Sequence, residues 1–143
     1  RYAENFKENT KKLSDAIRLA DAEIAEKLKA VSEKPFLVMH DAWQYFTHHY
    51  ELNQLASVTQ QEGLKPSGKT LSAARKLIRG SAAACIVNEP GVKSRTLAVL
   101  VEDFDVNTTE IDPLGRSITM SDQAYPELLH YTATQLLNCL KTE

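Results

Sequence analysis

The chain has 143 residues, 43% of them hydrophobic, and a formal net charge of −2. That length corresponds to one domain able to bury its own core, and the slightly acidic balance lacks the basic stripe of a nucleic-acid surface. No run approaches the roughly 18 apolar residues that suggest a membrane span.

Apolar residues recur at Tyr2, Phe6, Leu13, Ile17, Ala20, Ile24, Leu28 and Val31, with Lys and Glu filling the gaps. This is the spacing of one helical face. No Pro or Gly interrupts it, so a single helix of about 30 residues and ~45 Å is predicted, longer than the domain behind it. Such a helix is a coiled-coil arm or a strut that reaches another lobe. The sequence opens inside this pattern without Met or a cap, and is expected to be a mature or truncated piece of a longer protein.

Pro35 ends the first helix, and Phe36-Leu37-Val38-Met39-His40 reads as a short buried strand. A helix over 41–50 follows, with Asp41 suited to its first turn. A strand at 55–58 leads into a polar loop, and the next helix is predicted over 70–79 with Gly80 as its stop. Residues 83–87 form the next strand, ended by Asn88-Glu89-Pro90. A helix over 94–103, a strand over 108–111 and the turn Asp112-Pro113-Leu114-Gly115 come next. Pro126 then sits in the opening turn of a last helix that runs to about Leu140. Strands that alternate with helices predict an α/β lobe with a roughly four-stranded parallel sheet flanked by helices.

His40 and Asp112 each follow a short strand, so a parallel sheet would bring both to the edge where open α/β sheets bind ligands. Imidazole nitrogen and carboxylate oxygen are standard zinc ligands, but a zinc site takes three or four. His48 and His49, adjacent on the next helix, are expected to be solvated, and His130 to be structural. Glu89 ends a strand at the same edge, where a glutamate can serve as a general base or a third ligand; it is expected instead to pair with a cation, cap a helix N-terminus or line the cleft. Gly63-Leu64-Lys65-Pro66-Ser67-Gly68-Lys69-Thr70 satisfies the Walker A pattern and makes a P-loop nucleotide-binding domain the alternative. Pro66 argues against it, because a phosphate cradle needs backbone N–H groups and proline has none. Cys85 and Cys139 read on count alone as two buried thiols; if bridged, they would contribute about 4 kcal/mol in the chain-entropy model.

Five pieces occur in order: a long lysine-rich helix, His40-Asp41-Ala42-Trp43-Gln44-Tyr45-Phe46, Glu89-Pro90, Asp112-Pro113-Leu114-Gly115, and a final helix with Tyr125 and Leu128-Leu129. In these the chain resembles the carboxyl-terminal half of the ZnuA-like periplasmic zinc-binding proteins of ABC importers. The resemblance implies two α/β lobes joined by a long helix, with residues 1–34 as the spine and 35–143 as the carboxyl-terminal metal-binding lobe. It implies Zn²⁺ as the transported ligand, His40 as a metal ligand supported by two histidines of the missing lobe, and Asp112 as the fourth ligand found in many relatives. It implies a Cys85–Cys139 disulfide and a periplasmic location. The implied partners are the amino-terminal lobe of the same protein and an inner-membrane ABC permease; the carrier would be a monomer with no enzymatic activity. Gly91-Val92 departs from the Gln and aromatic residue that many relatives carry after Glu-Pro.

Overall fold

Helix α1 spans Ala3–Leu28 in the computed structural model, which describes residues 2–59, 66–81, 83–91 and 94–141. Only its second half is held against the rest of the chain. Ala20, Ile24 and Leu28 are buried, whereas Tyr2, Phe6 and Leu13 on the same stripe are exposed. The 26 residues extend about 39 Å. The helical pattern runs further, but its last turn, Lys29–Val31, tightens to a 3-10 helix before Pro35.

The other elements are β1 (Phe36–His40), α2 (Gln44–His49), β2 (Gln54–Thr59), α3 (Gly68–Ser81), β3 (Cys85–Asn88), α4 (Ser94–Val101), β4 (Asn107–Glu110) and α5 (Ala124–Leu140). The four strands pair in parallel in the order β2-β1-β3-β4. Side chains alternate between the two sheet faces, as a period of two requires. Phe36, Val38, Cys85 and Val87 share one core with Ile24 and Leu28 of α1 and Leu136 and Leu140 of α5. Leu37, Met39 and Ile86 meet Ala74, Ile78 and Leu100 of α3 and α4 on the other face. Burial on both faces is why β1 and β3 read as unbroken apolar runs.

Cys85 on β3 and Cys139 on α5 form a disulfide, and both are buried. The bond ties the last helix to a central strand of the sheet.

Several predicted boundaries move, each for a local reason. Helix α2 starts at Gln44 because residues 41–43 carry the chain off the sheet in a bend, which leaves Asp41 outside the first helical turn. Gly80 does not stop α3, which runs through it to Ser81. Helix α4 ends at Val101, just ahead of Asp103, whose φ of 71° takes the backbone out of the helical region.

Strand order also marks where a candidate site would lie. From β1 the chain goes outward to β2, then returns past β1 to place β3 on its other side. The carboxyl ends of β1 and β3 therefore flank the topological switch point, where open sheets leave a crevice.

Candidate metal centre

His40 is the last residue of β1 and stands at that switch point. The register pairs Phe36 with Cys85, Leu37 with Ile86 and Val38 with Val87. Continued for two more pairs, it sets His40 beside Glu89. The side chains meet there: His40 Nδ1 lies 3.2 Å from Glu89 Oε1 and 3.3 Å from Oε2. Glu89 is deeply buried, with 5% of its surface exposed. The chain leaves the sheet immediately afterwards through Pro90 and Gly91, whose φ of 92° suits glycine in a tight turn.

Asp112 follows β4 at the same sheet edge, but β3 stands between β4 and β1. His40 and Asp112 are therefore not neighbours across a strand pair; Glu89 takes the place next to His40. The Asp112 carboxylate is buried and holds its own turn together. Oδ1 accepts the Leu114 N–H at 3.0 Å, and Oδ2 accepts the Arg116 N–H at 2.9 Å. The Arg116 side chain approaches the same oxygen, with Nε at 3.7 Å. An ionised carboxylate has about four acceptor positions, so both oxygens keep lone pairs beyond these two bonds. Among the described residues, no group of three or more His, Cys, Asp or Glu side chains is placed to hold a metal ion.

Two of the other histidines, His49 and His130, tie helices together. His49 Nε2 lies 2.7 Å from Asp21 Oδ1, and the Tyr50 hydroxyl donates to the same oxygen at 2.9 Å, so α2 and the residue after it are fastened to α1. These two hydrogen bonds, that from His49 foremost, hold the Asp21 carboxyl below the ordinary aspartate range. Burial, reinforced by the Asp21 hydrogen bond, pushes the Tyr50 phenol upward. His130 on α5 approaches Glu23 on α1 at 3.4 Å. Beside these contacts lies a groove of about 620 Å³ lined by Ile17, Asp21, Tyr45, Phe46, Tyr50 and Tyr125.

Of the Walker-like segment, Gly63, Leu64 and Lys65 lie outside the described residues. Its remainder starts a helix in ordinary fashion: Ser67 Oγ accepts the Thr70 N–H at 3.1 Å, as an N-cap does, and Gly68 to Thr70 form the first turn of α3.

Residues 1–139 match the family model described as zinc-uptake complex component A, periplasmic. The chain belongs to the ZnuA family. This ZnuA-family chain is 28% identical over 139 residues to the high-affinity zinc uptake system protein ZnuA of Brucella abortus, an alignment that covers 97% of the chain and 42% of that protein. With the protein of the same description from Haemophilus ducreyi it shares 35% identity over 118 residues, covering 82% of the chain and 38% of the relative. The chain thus spans less than half the length of these relatives. In fold it resembles the SBP FpvC of Pseudomonas aeruginosa, solved in complex with Ni²⁺, with a TM-score of 0.80 at 16% identity over 99% of the chain and 54% of that structure.

The contact that composition and motifs did not reveal is His40 with Glu89. The signal was present, since both residues end apolar strands, but pairing them needs the strand order, and no local pattern carries that.

Proposed function

We propose that this chain is the carboxyl-terminal lobe of a periplasmic carrier that captures Zn²⁺ and delivers it to an ABC permease in the inner membrane. The observation that carries the proposal is the placement of His40 at the switch point of a ZnuA-family sheet, with its ring partly exposed beside Glu89. In this assignment residues 35–143 form the metal-binding lobe and residues 1–34 the spine. The exposed first half of α1, with Tyr2 and Phe6 uncovered, supports a strut that leads to a second lobe. The relatives' greater length supports the existence of that lobe in the parent protein.

Zinc is the cargo. His40 supplies one neutral nitrogen and Asp112 one carboxylate oxygen, and the remaining ligands come from the amino-terminal lobe. A tetrahedral zinc site takes four donors, so two donors bind weakly on their own. The carrier works as a monomer, and no bond in a substrate is made or broken, since ligand exchange at the metal is the whole of the chemistry. Metal ligands must be deprotonated, so capture releases any proton held by the imidazole.

The test is a zinc titration against a chromogenic chelator, run on this chain and on His40→Ala in parallel. Weak zinc binding that disappears in the variant is expected. Equal binding by both proteins would exclude His40 as a ligand and would undo the assignment of this sheet edge as the metal site.

A further inference from the structure

Resting on the metal-site assignment above, we propose that Glu89 is the positioning residue of that site: its carboxylate fixes His40 as the Nδ1–H tautomer and leaves Nε2 as the metal-binding nitrogen. An ionised carboxylate accepts hydrogen bonds and donates none. With Nδ1 at 3.2 and 3.3 Å from the two Glu89 oxygens, the ring hydrogen belongs on Nδ1. A neutral imidazole carries one N–H, so Nε2 keeps its lone pair. A carboxylate behind a ligating imidazole orients the ring and raises its basicity.

Depth supports the same order of parts. The Glu89 side chain is 6% exposed and that of His40 is 19% exposed, so an ion arriving from solvent meets the ring before the carboxylate. The arrangement is fixed by the sheet. β1 and β3 are adjacent and in register, and residues 36, 38 and 40 share a face with 85, 87 and 89. Asp112 is unsuited to this task because it lies beyond β3 and its two oxygens accept the backbone amides of Leu114 and Arg116. The nearest histidines in sequence, His48 and His49, belong to α2, and His49 is engaged with Asp21 on α1.

The experiment uses histidine-¹⁵N-labelled chain at neutral pH, with long-range ¹H–¹⁵N correlation spectra to read the tautomer of each ring. His40→Ala identifies the His40 resonances. Wild type is expected to show His40 as Nδ1–H, and Glu89→Ala to convert it to a mixture with Nε2–H. Glu89→Gln should retain Nδ1–H, because the amide oxygen still accepts. Zinc titrations of the same proteins should show a roughly 10–100-fold weaker Kd for Glu89→Ala and a smaller loss for Glu89→Gln. A structural role alone would leave the tautomer untouched. The proposal is overturned if wild-type His40 carries its hydrogen on Nε2, or if Glu89→Ala leaves both the tautomer and the zinc Kd unchanged. The wild-type spectrum and Glu89→Gln decide it even where Glu89→Ala does not fold. Zinc binding that survives His40→Ala would sink the metal-site assignment instead, while the spectra still report whether Glu89 sets the ring.

Discussion

Reducing the Cys85–Cys139 disulfide should cost this lobe a large share of its stability. The two residues are 54 positions apart, so the bond removes a loop of that size from the freedom of the unfolded chain. The chain-entropy relation gives about 14 cal/mol/K for this loop, or about 4 kcal/mol at 25 °C. For 143 residues the unfolding entropy near the midpoint is roughly 300 cal/mol/K, so the loss corresponds to a fall in Tm of about 13 °C. Reduction leaves both sulfur atoms in their buried positions and therefore isolates the effect of the cross-link. A Cys85→Ala/Cys139→Ala double variant should fall further, because it also empties two buried sites, by about 1 kcal/mol each on the transfer scale. The measurement is circular-dichroism melting of oxidised chain, chain reduced and held in excess reductant, and the double variant. Midpoints of oxidised and reduced chain within about 3 °C of each other would refute the loop-entropy reasoning. They would mean that the reduced unfolded chain is already restricted, or that the bond is offset by strain in the fold.

Two glycines should respond in opposite directions. Gly115 has φ 61°, and a Cβ there would lie 3.2 Å from Leu128 Cδ1, so Gly115→Ala should destabilise by about 1–2 kcal/mol in urea unfolding. Gly80 lies inside α3 with nothing within 4 Å of its would-be Cβ, so Gly80→Ala should stabilise by about 0.5–1 kcal/mol. Two changes of the same sign would contradict the backbone argument. For Asp21, the folded carboxyl sits below its ordinary range, so its stabilising effect is complete above that range and disappears as pH falls through the lowered value. The side chains of the His49–Asp21 pair are 60% and 42% exposed, and screening limits the effect to about 0.5 kcal/mol. Asp21→Asn should therefore be slightly less stable than wild type at neutral pH and equal to it in strong acid. A gap that widens on acidification would be the wrong sign.

Much of the fold could be read from short-range pattern because both faces of the sheet are covered. Unbroken apolar runs such as 36–39 and 85–87 can only be interior strands or buried helix segments, and four residues between breakers are too few for a helix. The ends of the elements were harder. Asp41 looks like a first-turn residue, yet the bend after His40 delays α2 to Gln44; Gly80 looks like a stop, yet an unstrained glycine inside a helix costs too little to end one. For the site, the carboxyl edge could be inferred for His40, Glu89 and Asp112 alike from their positions after strands. Their mutual arrangement could not. Any order of four parallel strands satisfies the same local sequence, and it is the observed order β2-β1-β3-β4 that makes Glu89 the neighbour of His40 and moves Asp112 one strand further away.

That order also bears on how a carrier of the proposed kind would bind and release its cargo. The lobe holds one imidazole with its carboxylate behind it, and a second carboxylate whose oxygens already cap a turn. Both are preorganised: the register of two central strands fixes His40, and two backbone amides fix Asp112. If both are metal donors as proposed, they would lose little freedom when the metal arrives, but two donors would still leave half of a tetrahedron to be supplied by water. High affinity would then depend on bringing further donors from a second lobe, which the long spine α1 would hold at a set distance. Separating the lobes would return the ion to a two-donor site, so release would need no chemical step at His40 or Asp112.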